Sequence, residues 1–249
     1  TLAGAFEYAA SAAWTPADIT TVFWLDSKDS PTITLDGSGN IEQWGDNSGN
    51  ARHATQTDAA KRPRLALSDL AGVDVPDFGL ENEALFLRSL GWAANQPTAF
   101  FGVAKTIQPT GSGRQYLFDG RGGRQLFAMR GSPTGRYSAW AGSWADSGIA
   151  TTADYRILGM VFNGASSTIF VDAVGTSVNS GTNNISDGLN IGTNVIESGD
   201  NHAGPIAELI FLDFEPTIEV RQKIEGYLAH KWGLEANLPS DHPYKSSPP

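Results

Sequence analysis

Gly204-Pro205-Ile206-Ala207-Glu208-Leu209-Ile210-Phe211, followed a short polar gap later by Ile224-Glu225-Gly226-Tyr227-Leu228-Ala229-His230-Lys231-Trp232-Gly233-Leu234, pairs a strand pattern with a helix pattern. The first piece is a short apolar run, the pattern of a buried strand. In the second region Val220, Ile224, Tyr227 and Leu228 fall at i, i+4, i+7 and i+8, which lines one face of a helix with apolar side chains. Thr217 suits the N-cap, Glu219 the positive end of the helix dipole, His230 and Lys231 its negative end, and Gly233 the left-handed turn that stops it. Val220 stands where a capping box places an acid or amide, so half of the reciprocal cap is missing and the first turn is expected to fray. A single one-sided helix after a strand predicts an element laid against a sheet edge or the end of a sandwich.

Upstream of it the chain reads as β-structure. Apolar runs at Thr21–Asp26, Ala84–Leu87, Thr98–Ala104, Gln115–Phe118, Gln125–Met129, Tyr155–Phe162, Thr168–Val171, Leu189–Ile191 and Pro205–Leu212 are spaced by Gly, Asn, Asp and Ser. Thr98–Ala104 is apolar almost throughout and predicts a strand buried on both faces. Leu35-Asp36-Gly37-Ser38-Gly39-Asn40-Ile41 has the turn chemistry of a hairpin. Gly120-Arg121-Gly122-Gly123-Arg124 reads as a Gly-rich hairpin rather than a phosphate loop, because no helix pattern follows it. The Ser/Asn/Thr/Gly tract 175–188 reads as a loop or edge strand. With 28 Gly and 13 Pro in 249 residues, many short strands and tight turns are favoured over a helical bundle. The expected architecture is all-β: a two-sheet antiparallel β-sandwich with one C-terminal α-helix, formed as one domain over residues 14–249 after an N-terminal extension, 1–13.

Charge and composition exclude several roles. Lys and Arg number 17 against 27 Asp and Glu, a formal net charge of −10, which repels nucleic-acid phosphates and anionic lipid. No run approaches the length of a membrane-spanning helix, and the opening residues lack a signal-peptide pattern. The expectation is a chain with neither nucleic acid nor membrane as partner. Cysteine is absent, which excludes disulfides, thiol chemistry and cysteine zinc sites.

The ordered set Trp24-Leu25-Asp26, Trp44-x-Asp46-x-Ser48-Gly49-Asn50-x-x-His53-Ala54, Phe170-Val171-Asp172, Gly188-Leu189-Asn190-Ile191-Gly192 and the Tyr227–Leu234 tail resembles laminin-G-like, concanavalin A-like jelly-roll domains over most of the chain. That resemblance implies a jelly-roll sandwich of the kind carried by secreted, cell-surface and phage virion proteins. It says little about ligand, since the superfamily includes lectins, carbohydrate-binding modules, hydrolases, lyases, adhesion domains and virion decorations.

No catalytic constellation stands out. Glucanases of this superfamily align Glu-x-Asp-x-x-Glu on one strand, so that alternate carboxylates share a face, and this string is missing. Glu81 with Glu83, and Glu208 with Asp213 and Glu215, have other spacings and read as surface or turn residues. His53, His202, His230 and His242 are scattered without metal-ligand spacing and read as structural. No nucleophile elbow and no P-loop occurs.

Binding chemistry is better represented. Between Arg130 and Asp146, Tyr137, Trp140 and Trp144 interleave with small residues, flanked by Arg130, Arg136 and Asp146. Aromatic faces beside polar groups suit sugars, which present apolar C–H faces and polar edges. The competing reading is that such strand aromatics fill the core. Asp46, Asn47 and Asn50 offer hard oxygen donors for Ca²⁺, which related jelly rolls often hold, and Asp200-Asn201 offers a second such loop; the same residues also make hydrogen-bonded turns. The sequence reading is a non-catalytic recognition or adhesion module for carbohydrate or cell-surface glycan, extracellular or on a virion. A structural virion protein packed against neighbouring subunits is the alternative, and a polysaccharide hydrolase or lyase ranks third.

Overall fold

The structure is a computed structural model that describes residues 13–80, 82–197 and 199–249. The proposed extension lies outside the described residues except for Ala13, as does Glu81.

The chain forms an all-β sandwich with one C-terminal helix. A six-stranded sheet runs in the spatial order Phe23–Asp26, Ile206–Leu212, Thr98–Ala104, Arg156–Phe162, Ser167–Val171, Val174–Val178. A nine-stranded sheet runs Trp144–Ala150, Arg136–Trp140, Leu126–Arg130, Gln115–Gly120, Leu189–Ile191, Leu87–Ser89, Ala54–Thr55, Ile41–Trp44, Ile33–Leu35. The strand pairs are antiparallel. Alternation along each strand sends one set of side chains between the sheets. There Phe100 meets Phe118 with ring centroids 4.9 Å apart, and Phe118 meets Phe211 edge-on at 4.8 Å.

The expected hairpin turns are present at 35–41 and 120–124, and the 175–188 tract supplies the edge strand Val174–Val178. Three differences are instructive. The run at Ala84–Leu87 is buried from Leu85 on but pairs only from Leu87 onward. The hairpin of Arg64–Leu70 and Val73–Asp77 forms from a polar, weakly patterned segment. Arg136–Trp140 and Trp144–Ala150 pair as the edge of the larger sheet.

Thr98–Ala104 is buried at every position because it separates two cores. Phe100 faces the other sheet, while Ala99, Phe101 and Val103 face the helix Ile218–Trp232 through Ile224, Leu228, Ala229 and Trp232. Thr217 caps the helix by accepting from the Val220 N–H at 3.3 Å, and Gly233 ends it at φ 69°. Gly226 is needed for a different reason: a Cβ there would sit 2.5 Å from the Cβ of Tyr244, so only glycine lets the C-terminal tail pack across the helix.

The expectation that Glu208 is a surface or turn residue is corrected. Glu208 is wholly buried and accepts hydrogen bonds from Trp24 Nε1 (2.8 Å), Trp232 Nε1 (2.7 Å) and Tyr227 Oη (3.0 Å). Lys231 Nζ lies 2.8 Å from Glu208 and 2.6 Å from Asp26. The i, i+4, i+5 spacing of Tyr227, Lys231 and Trp232 brings all three to this carboxylate, so the tail motif is a polar anchor between helix and sheet. Asp213 and Glu215 are exposed, and Glu83 is half-buried with its carboxylate on the Leu80 N–H.

Candidate saccharide-binding cleft

The nine-stranded sheet has an outer face built by the same alternation. Across it, Trp144 pairs with Trp140, Trp140 with Leu126, Leu126 with Asp119, and Asp119 with Asn190. A bulge in Gln115–Gly120 brings Tyr116 to this face as well, opposite Ala128, while Leu117 and Phe118 both enter the core. Residues 194–197 fold over the centre of the row. Val195 N–H donates to Asp119 at 2.9 Å, Asn190 Nδ2 to the Asn194 carbonyl at 2.9 Å, and Arg88 grips Glu197 through bonds of 2.6 and 2.5 Å.

Between that segment and the edge strands lies a cleft of about 370 Å³, walled by Tyr116, Trp140, Trp144 and Ile196 and bordered by Arg114, Arg124 and Asp200. Trp144 is 44 % exposed, which for a ring this large leaves a broad apolar face open to solvent. Each tryptophan carries a guanidinium: Arg124 lies 5.4 Å from the Trp140 ring centre and Arg114 lies 4.7 Å from that of Trp144. Cation–π stacking holds both planes in place. Arg124 closes a bidentate pair on Asp119 at 3.1 and 2.6 Å. Burial pushes the Asp119 carboxyl up, against the pull of Arg124. Burial together with the charge of Asp200 pushes the Tyr116 phenol up to about 12, so it stays protonated and can donate at neutral pH. The floor of the cleft is therefore fixed, and its walls are aromatic with polar groups at the rim.

On the far side of Trp144 a second hollow of about 280 Å³ is lined by Ser132, Pro133, Thr134, Ala145 and Asp146. Of the residues singled out in sequence, Trp140 and Trp144 wall the cleft, and Trp144 and Asp146 face the second hollow. Arg136 is exposed at the sheet edge, 3.7 Å from Asp146. Two others face away from both hollows. Tyr137 is wholly buried between the sheets, because its neighbours Arg136 and Ser138 take the outer face. Arg130 is wholly buried and ties down the 108–113 loop through the carbonyls of Gln108, Thr110 and Gly113 at 2.6–2.8 Å. Arg114, Tyr116, Asp119 and Arg124 were missed as site residues in sequence, and Asp200, singled out there as an oxygen donor for Ca²⁺, lines the cleft instead. The bulge breaks the period-two pattern that would have grouped Tyr116 with the tryptophans, and Asp200 arrives from a distant loop.

The loop singled out for calcium is a hydrogen-bonded clamp. Asp46 accepts from the N–H groups of Trp24, Ser48 and Arg52 and from Ser48 Oγ, at 2.7–3.0 Å. Asn50 Nδ2 donates to the carbonyls of Thr21 and Val22, and Asn47 Nδ2 to Asp29. The Asp46 carboxylate is thus spent on protein donors, and no three His, Asp or Glu side chains converge among the described residues. Of the histidines, His202 is wholly buried against Phe78, and burial lowers its pKa to about 3, partly offset by the nearby carbonyls of Pro205 and Lys105. His242 Nδ1 accepts from the Tyr244 N–H, leaving Nε2 to donate to Glu225 at 3.2 Å.

No protein-family model matches the chain, and no curated protein matches it in sequence. Solved structures do share its fold. A Trypanosoma rangeli sialidase in complex with the inhibitor DANA superposes with a TM-score of 0.54 at 11 % identity, covering 89 % of this chain and 34 % of the sialidase. Domain 4 of AbnA, a GH43 extracellular arabinanase from Geobacillus stearothermophilus, in complex with arabinotriose, superposes with a TM-score of 0.50 at 14 % identity, covering 68 % of this chain and 85 % of that domain. The chain thus spans about a third of the sialidase it resembles. These neighbours correct the expectation of a non-catalytic recognition or adhesion module, because the two structures that share the fold come from a sialidase and an arabinanase. At such identities the likeness is one of fold.

Proposed function

We propose that this chain serves the enzymatic cleavage of glycosides and holds its saccharide in the cleft walled by Tyr116, Trp140 and Trp144. The observation that carries the reading is the partly exposed Trp144 beside Trp140 on a rigid sheet face, with Arg124, held by the buried Asp119, and Asp200 at its rim. A sugar ring lays its C–H face on an indole and gives its hydroxyls to the surrounding polar groups. The carbohydrate complexes of the two structural neighbours support a saccharide as partner. On this reading the fold is a laminin-G-like, concanavalin A-like jelly roll formed as one domain over residues 14–249, supported by the two-layer sandwich and the anchored terminal helix. An extracellular setting is part of the same proposal, since it is where a cell-surface or secreted glycan would be met.

The test is release of reducing ends from a panel of polysaccharides by the full chain, paired with calorimetric titration of oligosaccharides into wild type and Trp144→Ala. Binding that is lost in the variant, with product released by the wild type, is the expected result. Absence of product across the panel would overturn the enzymatic part, and equal binding by the variant would overturn the cleft.

A further inference from the structure

The two guanidiniums of the cleft differ in what they are committed to. Arg124 is neutralised by the bidentate Asp119 pair. Arg114 stacks on Trp144, yet its guanidinium makes no hydrogen bond or ion pair among the described residues, and its Nε is shut off from water without a partner. It is the only guanidinium among the described residues of which this is true; the others hold carboxylates or backbone carbonyls, as Arg52 does the carbonyl of Val22. A cation held in place by an aromatic ring, with donors left unused, is an anion receptor in waiting.

We propose that Arg114 makes the cleft selective for an acidic saccharide, with the sugar carboxylate on the Arg114 guanidinium while the ring lies against Trp144. This inference rests on the saccharide reading of the cleft given above. The local charge permits it. Arg114 and Arg124 balance Asp119 and Asp200 around the cleft, whereas the whole chain carries −10, so an anion meets less repulsion here than the net charge implies. Asp200, as an acceptor at the rim, suits the hydroxyls of the same sugar. A guanidinium already stacked and oriented loses little freedom when the carboxylate arrives, and its planar fork matches the two carboxylate oxygens.

The experiment compares calorimetric titration of the full chain with oligogalacturonate, its methyl-esterified form, and a sulfated galactan oligomer, in wild type, Arg114→Gln, Arg114→Lys and Trp144→Ala. Oligogalacturonate is expected to bind at least about tenfold more tightly than the ester, with affinity falling as salt is raised. Arg114→Gln should remove that preference and lower affinity for the acid by about ten- to a hundredfold, with Arg114→Lys recovering part of it. Circular dichroism of each variant establishes that it is folded. Equal binding of acid and ester that Trp144→Ala abolishes would overturn the acidic selectivity while leaving the saccharide cleft standing. A preference for the sulfated oligomer alone would overturn the carboxylate, and no binding of any oligomer would overturn both readings.

Discussion

The helix anchor and the cleft are made of the same ingredients, tryptophan, tyrosine, a cation and a carboxylate, and differ in how completely those ingredients are spent. Around Glu208, two indole N–H groups, a phenol and an ammonium all point at one buried carboxylate, and Asp26 takes a further share of Lys231. Around Trp144, the indole face is open and Arg114 is uncommitted. A fully satisfied polar cluster in a low-dielectric setting holds two elements in register and has nothing left to offer a ligand. A partly satisfied one at a surface hollow has. The loudest motif in the chain is therefore architectural, and the candidate site is assembled from quieter residues.

The comparison can be broken most directly at Glu208. Replacing it by Ala leaves two buried indole donors without their acceptor and takes one of two carboxylates from Lys231, and should lower stability by about 3–5 kcal/mol in urea unfolding. A loss below about 1 kcal/mol would show that the anchor is incidental. Next in size is the pH response of His202, which stands two residues beyond Asp200 of the cleft. Its folded pKa of about 3 lies below its unfolded value of 6.5, so the unfolded chain binds a proton that the folded chain refuses. The resulting stability is complete above pH 6.5 and is lost as pH falls toward 3, by about 2 kcal/mol between pH 7 and pH 5. Denaturation midpoints for wild type and His202→Gln across that range should converge at low pH, and parallel curves would exclude the histidine as the source.

Trp144→Ala should do the opposite of Glu208→Ala. With nearly half its surface already in water, its removal should cost no more than about 1 kcal/mol of stability, while saccharide affinity falls by about tenfold or more. A large loss of stability would make Trp144 part of the packing, on the same footing as the anchor. The smallest effect is expected at the Asp46 clamp: chelation of divalent ions should leave the melting temperature unchanged, because the carboxylate is already saturated by protein donors. A drop on chelation would mean that the clamp opens for a cation.

The sequence and the structure agree where burial is local and periodic. Thr98–Ala104 reads as a strand buried on both faces and is one; Leu189–Ile191 and Ile206–Leu212 lie where their apolar runs place them; Thr217 and Gly233 bound the helix by the chemistry of their own side chain and backbone. Agreement fails where a side chain's fate depends on a distant partner. Glu208 reads as a charged residue of the surface because its five-residue environment gives no sign of Trp24 and Lys231. Tyr137 and Trp140 read as one aromatic cluster, but three residues along a strand is an odd number, and the pleat sends them to opposite faces. Arg130 and Arg114 look equivalent in sequence, yet one is sunk into the 108–113 loop and the other is stacked in the cleft.

The β-rich class, the order of most strands, the single terminal helix and its caps are all legible in the sequence, since they follow from side-chain periodicity and backbone preference within a few residues. Which acid is buried and which aromatic face is open is settled by the packing of the two sheets. The same packing settles which guanidinium is left without a hydrogen-bond partner, because each of these depends on groups that lie far apart in sequence and meet only when the strands pair and the sheets close.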